Sequence, residues 1–207
     1  MSIKFACIAP HPPLLLPSVS KKEERKKLSD TIDALSFLRK ELESKEVDKI
    51  IISSPHDDWG FSVPLFYLAK NFNGKIDKVL IGSGDLKEEF LKGKRYYLSE
   101  LEDNSDEIAL IASGDTSHCL REDGPYGFHH DGPSFDKMLI KSLNDKDVDT
   151  LTRLDNLFPE ALECGLRPIL FLLGVLEASE KKYNPEVLAY QYPFGVGYLT
   201  VNFKIYE

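Results

Sequence analysis

The stretch Ile108–Asp136, IALIASGDTSHCLREDGPYGFHHDGPSFD, carries three of the chain's five histidines just beyond a short apolar run that breaks at Ser113-Gly114-Asp115. Such a run, with a glycine in the break, reads as a buried strand emptying into a loop. In α/β sheets ligands bind outside the carboxyl ends of the strands. FACIAPHPP and KIIISSPHDDW repeat the pattern and end at His11 and His56, so histidines stand at three strand ends. Two imidazoles and one carboxylate, with coordination positions left open, is the arrangement that holds non-haem Fe(II) for oxygen chemistry, and a thiolate in place of the carboxylate favours softer metals. Glu163 and Cys164 offer both kinds of third ligand side by side. The bland alternative is that each histidine only caps its loop, and spacing alone does not choose between the two.

His118 follows Asp115 by three residues. In a tight loop the carboxylate would orient the imidazole and leave a ring nitrogen to take a proton from a substrate hydroxyl. Alternatively Asp115 caps the turn and His118 faces solvent. His129 and His130 lie in a glycine-flanked loop and receive no role. Ser117, His118 and Asp115 include the residue types of a nucleophilic triad, but adjacent Ser and His seldom meet in the required geometry, and no G-x-S-x-G elbow is present. Nothing marks Cys119 as a nucleophile. Gly82-Ser83-Gly84 lacks the third glycine of a dinucleotide fingerprint. Asp57-Asp58 beside His56 reads as outer support for a metal site or as a solvated charge pair.

The elements that must position these residues follow from periodicity. Ile3–Ala9 reads as a buried strand, after which Pro10, Pro12 and Pro13 hold His11 on an extended backbone. Over Lys21–Ser44 the residues Leu28, Ile32, Leu35, Leu38 and Leu42 form the stripe of an amphipathic helix, and Asp48–Ser53 is a second strand. A strand, a helix and a strand make a βαβ unit, which predicts parallel neighbouring strands with His11 and His56 facing one crevice. Phe61–Lys70 fits a strand or a short helix. Lys78–Ile81 is a short strand, Glu88–Lys92 a brief helix, and Lys94–Asp106 a loop or sheet edge. Ser134–Leu143 and Val148–Leu154 have helical spacing. Ile169–Glu177 is a helix apolar nearly all round and therefore buried. Val187–Tyr192 and Tyr198–Tyr206 alternate and predict a closing antiparallel hairpin. The fold class is α/β, with a central, largely parallel or mixed sheet, helices on both faces and that C-terminal hairpin.

At 207 residues the chain suits one domain spanning 1–207, and its 42% hydrophobic and 29% charged residues are ordinary for a globular protein. The net charge of −8 disfavours a nucleic-acid or anionic-membrane partner. The one dense basic cluster, Lys21 to Lys27, is interrupted by Glu23 and Glu24 and reads as a solvated helix face. The longest apolar stretch, Ile169–Leu176, contains a glycine and falls far short of the ~20 residues that span a bilayer. Cys7, Cys119 and Cys164 are an odd number without a CxxC pair, which argues against a disulfide framework or zinc ribbon and fits a reducing cytoplasm.

Taken together, APHPPLLLP, SSPHDDWG, ASGDTSH with its Gly/Pro-rich loop and GPSFD, and ECGLRPI resemble the class III (LigB-type) extradiol ring-cleaving dioxygenase superfamily. Within it they look most like the Memo-related branch, protein B of the AMMECR1–Memo–radical-SAM set. The resemblance runs from Ala9 to about Gly174. It implies His11 and His56 as metal ligands, His118 as the acid/base beside a bound catechol, and Asp115 as the acidic residue of the same motif. Ring-cleaving enzymes take a Glu as third ligand and the Memo branch a Cys before Gly, so Glu163 and Cys164 are both candidates. The implied function is Fe(II)-dependent extradiol cleavage of a catechol-type aromatic by O2. The alternative is a Memo-like metal-binding redox or peptide-binding role, with Cu or Zn if Cys164 is the ligand. A homodimer and an AMMECR1-domain or radical-SAM partner are further implications. Trp59, Tyr126, Phe128 and Phe135 are candidates to line an aromatic pocket.

Overall fold

Runs such as Ile50–Ile52 and Ile108–Ala112 have apolar residues at every position, as parallel strands do when both faces are covered. In the computed structural model, which describes residues 2–206, they form the middle of one six-stranded sheet. The strands are β1 (Ser2–Ala9), β2 (Lys49–Ser54), β3 (Lys75–Leu80), β4 (Glu107–Ser113), β5 (Tyr183–Gln191) and β6 (Tyr198–Ile205), in the order β3-β2-β4-β1-β6-β5. β1 to β4 run parallel, β6 is antiparallel to β1, and β5 pairs with β6 as the predicted hairpin. Because side chains alternate along a strand, Ala6, Ile8, Ile51, Leu110 and Ala112 enter one core, while Cys7, Ala9, Ile50, Ile52, Ala109 and Ile111 enter another.

The second core is covered by α2 (Ser29–Glu43) through Leu35, Leu38 and Leu42, and by α3 (Trp59–Leu68) through Phe61 and Val63. The first is covered by α4 (Leu86–Tyr96), α5 (Asp131–Asp145) and α8 (Leu166–Ala178). Of these α8 is buried from Pro168 to Leu176, as its composition requires.

Strand order departs from the sequence reading at one point that matters. β1 and β2 are parallel but not neighbours, because β4 lies between them. The chain leaves β1 through α2, passes β2 and α3 to β3, and returns over the opposite face through α4 to the vacant middle position. Right-handed crossovers require this change of face when the direction of travel along the sheet reverses. The loop bearing His118 therefore emerges between the strands that end at His11 and His56. The neighbours β1 and β4 then send the chain to α2 and α5 on opposite faces, and such a parting opens a crevice at the strand ends.

Two local expectations are corrected and one open alternative is resolved. Lys21–Ser44 is not one helix but α1 (Lys22–Lys26) followed by α2, because Leu28 leaves helical geometry at φ −107° and turns fully into the core. Within Phe61–Lys70 the helical alternative holds over residues 61–68, as part of α3. Glu88–Lys92 is the middle of the longer α4, capped by Asp85 (Glu88 N–H to Oδ1, 3.1 Å), and the chain continues through one π turn at Tyr97–Leu101 where a loop or edge had been expected. Between α5 and α8 lie the short helices α6 (Val148–Leu151) and α7 (Leu154–Leu157). No helix among the described residues is long and apolar enough to cross a membrane.

Candidate metal centre and its cleft

His11, at the end of β1, is only 2% exposed, and its orientation is fixed by a relay that begins in α3. Pro64 lies inside that helix and has no N–H, so the Gly60 carbonyl one turn earlier lacks its helical donor. The Ser113 hydroxyl, at the end of β4, donates to that carbonyl instead. A carbonyl only accepts, so the single hydroxyl proton is committed there and Ser113 Oγ must accept from His11 Nδ1, 3.0 Å away. The proton of His11 is thereby held on Nδ1 and the lone pair of Nε2 faces the crevice, the tautomer a metal ligand needs. Gly60 cannot carry a side chain, because a Cβ there would sit 2.1 Å from Ser54 Oγ and 3.0 Å from His56 Cβ. The first turn of α3 thus packs directly on the segment that presents His56.

Cys164 reaches the same place from before α8. Its Sγ is 3.4 Å from His11 Nε2 and accepts from the Asp115 N–H at 3.3 Å, while the Gly165 N–H donates to the Asp115 carbonyl at 2.9 Å. The contact is backbone on backbone: a Cβ on Gly114 would lie 2.2 Å from Gly165 Cα. Ligand atoms of His11, His56 and Cys164 all lie within 4.8 Å of one another. The rings of His11 and His56 meet edge to face at 5.2 Å.

Glu163, the other candidate, is turned away. Its carboxylate accepts from the Leu166 N–H at 2.6 Å, capping α8, and from Arg167 Nη1 at 3.3 Å. Burial raises its pKa to about 6 against the pull of that N–H and of Arg167. The sequence could not choose between adjacent residues; the hydrogen bond of Glu163 to the first N–H of α8 separates them.

Asp115 is buried, and its Oδ1 accepts from the His11 N–H at 3.0 Å. Burial raises its pKa to about 7, with that bond pulling the other way. Burial also lowers His11 to about 3 and His118 to about 4, with His56 adding to both and His118 further lowering His11, so both imidazoles are neutral at neutral pH. The Cys164 thiol is pushed up by burial and by the nearby Asp115 carboxylate. A bound cation reverses that sign by favouring the thiolate.

His118 stands in the loop after β4, with its N–H on the Ala161 carbonyl at 3.1 Å, its ring 5.2 Å from Tyr126, and its buried Nε2 without a protein partner. The loop is anchored by Asp136 of α5, which accepts from Ser117 N–H (2.8 Å), Thr116 Oγ1 (2.9 Å) and the Tyr190 hydroxyl (2.5 Å). Neither Ser113 nor Asp136 received a role from sequence. The signal for Ser113 was a hydroxyl directly at the end of an apolar strand, and for Asp136 an acid flanked by buried positions of an amphipathic helix.

These groups line a cleft of about 780 Å³. Of the four aromatic candidates Trp59 and Tyr126 line it, whereas Phe128 does not and Phe135 is fully buried in the core. Asp58 caps α3 by accepting from the Trp59 N–H at 2.7 Å, and Asp57 is exposed. His129 and His130 form a separate, more exposed group with Asp131 outside the cleft.

A fold of this kind is found elsewhere. The crystal structure of an uncharacterized protein, JW3007 of Escherichia coli K12, superposes with a TM-score of 0.63 over 96% of this chain and 99% of that one, at 16% identity. Protein CA_C1420 of Clostridium acetobutylicum is 28% identical over an alignment of 278 positions. That alignment takes in all of this chain, which spans 58% of the relative's length. Residues 57–201 match the family model described as the catalytic LigB subunit of aromatic ring-opening dioxygenase, a segment that contains Asp115, His118, Glu163 and Cys164 and follows directly on His56. With most of its length matched to that family, and its strand-end cleft inside the matched segment, the chain belongs to the LigB family of aromatic ring-opening dioxygenases.

Proposed function

We propose that this protein is a metal-dependent ring-opening dioxygenase acting on an o-diphenol, with His11, His56 and Cys164 holding the metal and His118 handling the substrate proton. The observation that carries the reading is the convergence of two imidazoles and a thiol within 4.8 Å at the floor of a largely apolar cleft. The donor set fits a metal: the Ser113 relay presents a free Nε2 on His11, and Cys164 is a soft anionic ligand once deprotonated. Iron bound there would supply the one-electron chemistry that lets O2 react with an aromatic ring.

The remaining work falls to the chain's own groups. The neutral His118, with Nε2 buried and free of protein partners, is placed to accept a proton from a substrate hydroxyl. Asp115 keeps the His11 backbone and the Cys164 loop in register. Pro12, Pro13 and Trp59 wall the cleft beside these groups. Cys7, Cys119 and Cys164 are all unpaired, which supports a reducing, cytoplasmic setting.

One observation favours a second reading: the third donor is a thiol, not a carboxylate, and thiolates suit Cu and Zn better than hard-ligand sites do. A Memo-like redox or binding role without ring cleavage follows from that. Anaerobic metal analysis and oxygen uptake with a panel of catechols, on wild type, Glu163→Ala and Cys164→Ala, separate the two. Stoichiometric iron lost only in Cys164→Ala, with oxygen consumption and a yellow ring-opened product, supports the dioxygenase. Stoichiometric copper or zinc and no uptake with any catechol supports the second reading.

A further inference from the structure

Above its polar floor the cleft is walled by Trp59, Leu162, Phe194 and Val196, and no lysine or arginine lines it among the described residues. Leu162 is the unusual member. It holds φ +56°, a conformation costly for a bulky L-residue, and leaves its side chain 48% exposed. It stands between two anchored neighbours: the Ala161 carbonyl accepts from the His118 N–H, and the Glu163 carboxylate accepts from the Leu166 N–H. An asparagine would occupy this backbone at less cost, so an apolar side chain held there points to an apolar ligand group.

The charges agree. Asp115 and Glu163 are the acids in the cleft. Arg167 is engaged by Glu163, Asp155 and the Gly84 carbonyl, and the Lys27 ammonium lies 5.6 Å over the Phe194 ring without lining the cleft. A carboxylate on the substrate would be stripped of water against apolar walls with no cation to meet it. The volume of about 780 Å³ also exceeds what a single six-membered ring fills and lies in the range of larger ligands.

We propose that the substrate is an o-diphenol bearing an uncharged alkyl or aryl substituent that packs on Leu162, Phe194 and Val196. The proposal rests on the o-diphenol reading above and adds the class of substituent. Trp59 is the chain's single tryptophan and lies on the cleft wall 5.4 Å from the His56 ring, so its fluorescence reports occupancy without turnover. With Zn(II)-loaded protein under argon, 4-tert-butylcatechol and biphenyl-2,3-diol should quench Trp59 with a Kd about tenfold or more below that of 3,4-dihydroxybenzoate, the gain from burying a few extra carbons. Leu162→Asn should weaken the two apolar ligands by about tenfold and leave the carboxylate ligand unchanged. Leu162→Arg should reverse the preference. Equal affinity for charged and apolar catechols in wild type overturns the proposal and leaves the dioxygenase reading standing. Selective apolar binding without oxygen uptake by the Fe(II) form upholds the apolar subsite and overturns ring cleavage, so that the o-diphenol is a ligand and not a substrate. No quenching by any catechol overturns both.

Discussion

Replacing Ser113 by alanine tests whether the β4 end controls the metal site through His11. The substitution removes one oxygen from a buried position and leaves the carbon skeleton, so packing changes little. Two groups lose their partner: the Gly60 carbonyl, which Pro64 already deprives of a helical donor, and His11 Nδ1–H at 3.0 Å. Leaving a buried polar group unpaired costs about 1–3 kcal/mol, so the metal-free protein should lose roughly 2–6 kcal/mol if both groups stay dry. Nothing then keeps the proton on Nδ1, and loss of such outer support lowers metal affinity about 10- to 100-fold, or roughly 1.4–2.7 kcal/mol. Chelator competition with Zn(II) reads the affinity, and denaturant unfolding with and without metal separates it from stability. Ser113→Thr keeps the hydroxyl and should recover most of the affinity. A folded Ser113→Ala protein that binds metal as tightly as wild type would refute the relay.

Three further outcomes follow from the same geometry. Cys164→Ala should abolish stoichiometric metal, whereas Glu163→Gln should retain it and lose roughly 1 kcal/mol of stability through the weakened α8 cap, seen as a lower unfolding midpoint; the opposite pairing would move the third ligand to Glu163. Gly114→Ala has no room beside Gly165 Cα at 2.2 Å, so it should cost about 1–3 kcal/mol and displace Cys164, with metal retention in the folded variant counting against the backbone contact. His118 is lowered from 6.5 to about 4, so the unfolded chain takes up its proton first as pH falls through that window and the folded state loses stability there. Burial should likewise hold the acid limb of kcat/KM below the ordinary imidazole value, and His118→Gln should remove that limb and flatten the stability profile over the same range; an acid limb that His118→Gln leaves in place would count against His118 as the base.

Much of the scaffold was legible in the sequence because it depends on local pattern. Apolar runs at Ile3–Ala9 and Ile108–Ala112 specify strands covered on both faces, the alternation in Tyr198–Tyr206 specifies the hairpin, and histidines within a few residues of the ends of three apolar runs mark the ligand end of the sheet. Phe61–Lys70 stayed ambiguous because a short apolar segment has no telling period, and the break at Leu28 was hidden because a core leucine fits the helical stripe either way. Strand order was out of reach: periodicity makes β1 and β2 parallel, but only the return of the chain over the opposite face places β4 between them. The choice between Glu163 and Cys164 is likewise tertiary. Adjacent side chains point in different directions, and which one meets His11 depends on the approach of Gly165 to Gly114 and on the need of α8 for a cap. The sequence therefore determined which residue types arrive at the strand ends, since that is a matter of local order. Only the fold decided which atoms meet, because those distances are set by segments more than a hundred residues apart, as His11 and Cys164 are.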